Sequence, residues 1–429
     1  MPLNLLDEHF LNLDQEREPW SVHLEVRVGG RIDPGRLAEA IRAAALRHPI
    51  ARAQLAPAHP ADVTYRWEIV ESLERAPLTV VACPDEAALD GTREALFAVS
   101  PAVDVAPPFA VVLAQGPRGD TILLSLHHAA GDGVGAVRLM HSILRAYAGA
   151  DDPIPAFDPL SVRDVLGLAA ARSGRERLAR RRALARAAVQ RLTPVTRLAR
   201  DGGDARPGYG FELLAFSRDE TAAVGAKRDE HATVNDVLLA ALATAIGRWN
   251  RAHARHVGRV ALTMPVNLRP ADWRAEVVGN FASYVSVGFK ADEHVDLQRA
   301  IEATADRTRR IKEDRLAGLV VELLVGPSLL PVVAKRHLQD LIPLTGDQIV
   351  DTASLSNLVR LDGWPALGAA AGRVEAVWFS PPGRAPLGAA FGAATVGGRL
   401  HIAMRYPRTQ FGVEGARAFA ALYRQVLVG

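Results

Sequence analysis

Little in this chain of 429 residues marks it as secreted, membrane-spanning or built around a metal. Cysteine occurs once, at Cys83, which excludes a disulfide framework and every cysteine-based zinc cluster. Its setting, Thr79-Val80-Val81-Ala82-Cys83, is strand-like, so it reads as a buried residue rather than a nucleophile. Aromatic residues make up only 6%, and 51 basic against 48 acidic residues leave a formal charge of +3. So small an excess of base gives no footprint for nucleic acid.

Long apolar runs are missing too. The most apolar stretch, Ala317 to Ala334, is broken by Glu322, Pro327 and Pro331, which excludes a span of ~20 apolar residues. Residues 1–20 carry Asp7, Glu8, Asp14, Glu16 and Glu18, charge that a signal peptide does not tolerate, so a cytoplasmic location is expected. No Walker motif, Gly-x-Ser-x-Gly elbow or zinc-protease helix motif occurs, and no solenoid repeat.

What is present is globular: 49% hydrophobic and 23% charged. The length suits two or three domains, and alternating strand and helix patterns predict a mixed α/β (α+β) fold. Ser21 to Val28 alternates as a half-exposed strand, and Asp33-Pro34 caps a helix through Arg47. Phe109–Ala114 and Thr121–Leu126 suit a hairpin, and Val134 to Tyr147 a helix ending before Gly149. Ten arginines face Glu176 alone from Arg172 to Arg200, and a loop with four glycines follows to Gly210. We therefore expect a first lobe over 1–170, a basic crossover over 171–210 and a second lobe over 211–429. In the latter, a helix capped at Thr233 runs to Trp249. Strands are expected at 211–216, 260–264, 283–289, 373–379, 388–395 and 399–406, with a closing helix at 413–427.

The segment Leu124-Ser125-Leu126-His127-His128-Ala129-Ala130-Gly131-Asp132-Gly133 carries the chemistry. An apolar strand ends in two histidines, tiny residues permit a sharp turn, and a helix departs. Adjacent strand residues face opposite ways, so one imidazole can enter a cleft while the other is held inside. The small residues leave room beside the ring, Gly131 and Gly133 permit positive φ, and Asp132 can hold the turn directly or through a cation. A neutral imidazole suits proton removal from an alcohol or amine. Two structural histidines is the plain competing reading. A metal site is not expected, because consecutive strand histidines diverge.

His127-His128-Ala129-Ala130-Gly131-Asp132-Gly133 resembles the HHxxxDG motif of the CoA-dependent acyltransferase superfamily. That group holds chloramphenicol acetyltransferase, condensation domains of nonribosomal peptide synthetases, polyketide-associated acyltransferases and wax ester synthase/diacylglycerol acyltransferases. Arg47-His48-Pro49-Ile50-Ala51-Arg52 resembles the RHxxLR segment of condensation domains, with Ala51 in place of Leu. Thr233-Val234-Asn235-Asp236 is similar to the Asn-Asp segment of wax ester synthases. Val278-Gly279-Asn280-Phe281 resembles a Gly-Asn element of these families, and Ser356-Asn357-Leu358-Val359-Arg360-Leu361-Asp362 the strand of alcohol acyltransferases. Two departures leave the subfamily open: Leu192-Thr193-Pro194-Val195 matches only loosely the expected PLN segment, and no arginine lies in Phe109-Ala110-Val111.

The resemblance implies a two-lobed chloramphenicol-acetyltransferase-like fold with a tunnel between the lobes, and a stand-alone acyltransferase. His128 would be the general base and His127 structural. Asp132 would orient the loop by pairing with Arg52, and Gly133 would line the tunnel. Asn235, Asn280, Ser354 and Asn357 would support the tunnel, and the oxyanion donor is left open between His128 itself, once protonated, and a hydroxyl such as Ser354. An acyl-CoA or phosphopantetheine thioester would supply the acyl group to a hydroxyl or amine acceptor, with no tightly bound cofactor and a carrier protein as partner. An inactive carrier-recruiting module, or a cyclase or epimerase, is the alternative. The arginine-rich segment reads as a solvated crossover helix, or else as a dock for a carrier, CoA phosphates or an anionic membrane. Leu319 to Val333 reads as a packed helix with a proline-broken turn, or else as peripheral membrane contact.

Overall fold

The computed structural model describes residues 1–153, 157–190, 194–203, 208–270, 273, 277–341 and 350–429. The first half carries α1 (Leu5–Leu13), β1 (Ser21–Val28), α2 (Pro34–Arg47), β2 (Ala53–Leu55), β3 (Trp67–Ile69), β4 (Leu78–Ala82), α3 (Glu86–Phe97), β5 (Phe109–Gly116), β6 (Gly119–His127), α4 (Gly133–Ala148), α5 (Val165–Ala169) and α6 (Gly174–Gln190). The second carries β7 (Tyr209–Ala215), α7 (Arg218–Ala226), α8 (Val234–Ala252), β8 (Val260–Asn267), β9 (Ala282–Phe289), α9 (Leu297–Glu313), α10 (Gly318–Ser328), α11 (Val332–Lys335), β10 (Ala353–Arg360), β11 (Val374–Ser380), β12 (Ala390–Val396), β13 (Arg399–Pro407) and α12 (Val413–Val428).

These strands form two principal sheets, in the orders β11-β1-β6-β5-β4 and β7-β13-β12-β10-β8-β9. Each has its own apolar core. Leu24, Ile41 and Leu139 belong to the first, and Leu242, Phe391 and Phe419 to the second. This is the expected mixed α/β, two-lobed arrangement. The chain halves are nevertheless interlocked. β11 lies beyond the expected boundary at 171–210, yet pairs antiparallel with β1 in the first sheet. At that crossing the backbone of Gly392 lies against the Phe379 carbonyl, leaving no room for a Cβ.

Local rules account for most elements. Asp33 Oδ1 accepts from Arg36 N at 2.6 Å and caps α2. Gly149, with φ of 68°, closes α4 in the left-handed region. Thr233 and Asp236 form a reciprocal capping box at the start of α8. One expectation fails at β1, whose residues are almost all buried rather than half-exposed. Its polar positions are consumed internally. Glu25 accepts from Arg93 at 2.6 and 3.1 Å, and the His23 ring stacks on Phe97 at 3.8 Å. The arginine-rich crossover helix α6 is largely exposed, with Arg180 buried in an ion pair with Glu322. The Leu319–Val333 stretch holds α10, which ends at Ser328, a turn at Pro331 and the start of α11, and Leu323, Leu329 and Val333 are exposed rather than packed.

Candidate functional site

The seam between the sheets holds two cavities. One, of about 370 Å³, is lined by His128, Asp132 and Gly133 on one side and by Thr263, Ser354 and Ser356 on the other. A second, of about 290 Å³, lies between one face of α4, at Val134, Val137 and His141, and the end of β10 from Asn357 onward. Gly133 and Val134 are consecutive, as are Ser356 and Asn357. The two cavities therefore flank the same pair of elements.

His128 reaches the first cavity because β6 ends at His127 and the next residue turns the other way. Its backbone N–H donates to Trp20 O at 2.9 Å. Asn280 fixes the ring. The Asn280 Nδ2 amide donates to His128 O at 2.6 Å, Ala129 O at 2.9 Å and Asp7 Oδ1 at 3.2 Å. Its Oδ1 consequently faces His128 Nδ1, at 3.3 Å. That network assigns the ring proton to Nδ1 and the lone pair to Nε2. Nε2 has no protein partner among the described residues.

Burial dominates the protonation of His128 and pushes its pKa down to about 4, against the upward pull of its own backbone, Asp132 and Asn280. The imidazole is therefore neutral at pH 7. Phe10 supplies much of this burial, its ring centroid 3.9 Å from that of His128. His9, one residue earlier on α1, is likewise lowered to about 4 by burial and by the neighbouring His128.

His127 faces the other way. Its Nδ1 accepts from Ala129 N at 3.1 Å, and Nε2 lies 3.5 Å from Asp14 Oδ2. Asp14 also accepts from Trp20 N at 2.7 Å and from the Ser100 hydroxyl. Burial would raise its carboxyl, but these partners together hold it below the ordinary range.

Asp132 caps α4, its Oδ1 accepting from Gly135 N at 2.9 Å. Its Oδ2 accepts from Phe281 N at 2.9 Å and from Arg269 Nη1 at 2.7 Å. Burial opposes the charge of Asp132, and the Arg269 guanidinium more than offsets it, holding the carboxyl below its usual value. Arg269 Nη2 donates onward to Val277 O at 3.1 Å and Gly279 O at 2.8 Å. The expected Arg52 partner is therefore wrong. Arg52 donates instead to the carbonyls of Ala45, Val70 and Glu71 and braces the end of α2.

Gly131 and Gly133 are not in the positive-φ region, contrary to expectation. Their smallness serves close approach. A Cβ on Gly133 would lie 2.9 Å from the Phe379 ring and 3.0 Å from Leu358, and one on Gly131 would lie 2.9 Å from Leu126.

The remaining expected residues divide. Ser354 lines the first cavity, and its buried Oγ has no hydrogen-bond partner among the described residues. Asn357 lines the second, its side chain accepting from Val359 N at 2.8 Å. Asn235 lies outside both, its Nδ2 3.1 Å from Met264 Sδ. Sequence reasoning missed His9, Phe10, Arg269 and Asp351. An arginine two residues beyond the apolar strand β8 was the one signal for Arg269, since a cation so placed must find a partner when buried.

Comparison with known proteins agrees with this architecture. The condensation-domain family matches residues 9–326. The Mycobacterium tuberculosis protein Rv2305 is 41% identical over 431 residues, covering 99% of this chain and 98% of its own. Among solved structures, the first condensation domain of the CDA synthetase superposes with a TM-score of 0.73 at 14% identity, covering 100% of this chain and 96% of that one. The epimerization domain of the third module of tyrocidine synthetase B gives 0.66 at 19% identity, covering 100% and 96%. A match spanning most of the sequence, on a two-lobed fold with a histidine at its seam, places this chain in the condensation-domain family.

Proposed function

We propose that this protein is an acyltransferase in which His128 acts as general base. It would move an acyl group from a CoA or carrier-bound phosphopantetheine thioester to a hydroxyl, with an amine as the second acceptor class. The observation that carries this reading is the state of His128: neutral, held through Nδ1 by Asn280, with Nε2 unpartnered beside a cavity.

In the step proposed, the acceptor oxygen attacks the thioester carbonyl while Nε2 takes its proton. The C–O bond forms, and the carbonyl oxygen becomes an oxyanion. Collapse then breaks the C–S bond, and the departing thiolate takes the proton back from the imidazolium. Asp132 and Asn280 favour the cationic ring, so they stabilise the species formed as the proton arrives. The Ser354 hydroxyl, buried on the facing sheet without a partner among the described residues, is the proposed oxyanion donor. Asp132 is a positioning residue, because its oxygens are committed to Gly135, Phe281 and Arg269. No acyl-enzyme is invoked, and the thioester is a substrate rather than a resident cofactor.

Membership of the condensation-domain family favours a carrier protein as one source of the donor. The test is thiol release and product mass with acyl-CoA and acyl-carrier donors and candidate alcohols and amines. Product should carry the summed acyl and acceptor masses. The His128→Ala protein should transfer ~10²–10⁴-fold more slowly while remaining folded. Full activity in that variant overturns the assignment.

A further inference from the structure

The sheet face opposite His128 has the wrong chemistry for ordinary packing. Residues two apart on a strand share a face, which places Ser354 with Ser356 and Thr263 with Pro265. The register sets Ser354 beside Thr263, Thr263 opposite Ser286, and Pro265 opposite Tyr284. A face that would bury aliphatic side chains in a plain core thus carries hydroxyls on three adjacent strands.

Asp351, just before β10, completes this wall. Its carboxylate accepts from Thr263 Oγ1 and from Ser286 Oγ, each at 2.8 Å. The Tyr284 hydroxyl lies 3.2 Å from His9 Nε2. Ser354 Oγ, buried and without a partner among the described residues, is a group on this wall with an unmet need. The facing wall mixes apolar Phe10 and Leu13 with His9, Trp20 and His128. The cavity is therefore two-sided, with imidazoles and aromatic rings where α1 and the histidine turn pack, and hydroxyls and a carboxylate where the second sheet closes it.

Resting on the acyl-transfer reading, we propose that this hydroxyl-and-carboxylate wall is the acceptor subsite and selects a neutral polyhydroxylated acceptor, a sugar or polyol. Such a molecule offers donors and acceptors on neighbouring atoms. It can donate to the free lone pairs of Asp351 and both give to and take from serine and threonine hydroxyls. A simple alkanol leaves most of the wall unmatched, and unmatched buried polar groups penalise binding. An ammonium is disfavoured for a different reason. Burial raises the Asp351 carboxyl, with the Thr263 and Ser286 hydroxyls and the guanidiniums of Arg259 and Arg197 acting against it, and Arg197 Nη1 donates to its backbone oxygen at 2.9 Å, so an ammonium would meet two cations beside this carboxyl.

The experiment compares three ligands with one alkyl tail, hexyl glucoside, 1-hexanol and hexylammonium, by calorimetric titration of the full chain at pH 7. The glucoside should bind at least about tenfold more tightly than either other ligand, as two or more additional hydrogen bonds imply. Asp351→Asn and Ser356→Ala should each weaken glucoside binding by about tenfold and hexanol binding by less than about twofold, since only the sugar uses those groups. The inference is overturned if hexylammonium binds as tightly as the glucoside, if none of the three binds, or if both variants weaken all three ligands equally. Turnover with a hexanoyl thioester is measured separately. Glucoside binding without turnover would overturn the acyl-transfer reading and leave the subsite standing, whereas transfer with equal binding of all three would do the reverse.

Discussion

Arg269 Nη1 donates to Asp132 Oδ2 at 2.7 Å, joining residues 137 positions apart, with both side chains buried. Asp132 belongs to the turn that presents His128, and Arg269 follows β8 in the other sheet. The pair therefore sets the position of the histidine loop against the sheet that faces it. Two charges taken out of water gain little net stability, yet a survivor left alone is costly.

Removing one member should accordingly be worse than removing both. Asp132→Ala is expected to cost about 3–5 kcal/mol, the usual penalty for an uncompensated buried charge. The double variant Asp132→Ala with Arg269→Met should recover a substantial part of it. Denaturant titration of the two single variants and the double reads this directly. A double variant no more stable than the worse single would show that the charges do not depend on each other.

Gly133 is close-packed rather than conformationally special. A methyl group there would sit 2.9 Å from the Phe379 ring, between the elements that line the two cavities. Gly133→Ala should slow transfer by at least about tenfold by displacing groups beside the reacting atoms, as misplacement near ~1 Å does. Its melting midpoint should fall only modestly, and Phe379→Leu, which shortens the obstructing ring, should restore part of the rate. Unchanged kinetics in Gly133→Ala would show that the approach of Phe379 and Leu358 does not matter to catalysis.

Stability should depend on pH through buried histidines. Burial lowers His9, His128, His141 and His401 to about 4 and His48 to about 3. Below an unfolded value of about 6.5 the unfolded chain binds protons that the native fold does not. This contribution is thus fully present above about pH 6.5 and is lost as pH falls toward 4. Melting midpoints at pH 7 and pH 5 should differ by several degrees in favour of pH 7. Equal midpoints would contradict the burial of these rings.

Much of the fold was legible because its signals are local. Two apolar runs parted by a Gly- and Pro-containing turn marked the hairpin of β5 and β6, and caps at Asp33 and Thr233 marked α2 and α8. What escaped depended on contacts distant in sequence. The burial of β1 was invisible because His23 and Glu25 read as solvent-facing until Phe97 and Arg93 cover them. Helix α1, only nine residues long with Asp7, Glu8 and His9 in sequence, gave no clear apolar stripe. With it went His9 and Phe10, the residues that set the environment of His128.

The site shows the same division. The histidine pair, Asp132 and Asn280 were recognisable by motif; the structure sets His128 and Asp132 on one cavity wall, holds the His128 ring with Asn280 and turns His127 away. Arg52 failed as the partner of Asp132 because carbonyls at the end of α2 already occupy its guanidinium. Arg269 and Asp351 lie beside no motif, and only the pairing of β8, β9 and β10 gives them a role.

The central claim, that a neutral His128 removes the acceptor's proton, is tested most directly by the pH profile of kcat/KM for transfer from a thioester to an alcohol. With the ring held to about 4 by burial, the rate should be level from about pH 7 down to pH 5 and fall only as pH approaches 4. A profile falling with a midpoint near 6.5 would show a solvated imidazole, and one that keeps its shape and height in His128→Ala would remove His128 from the reaction.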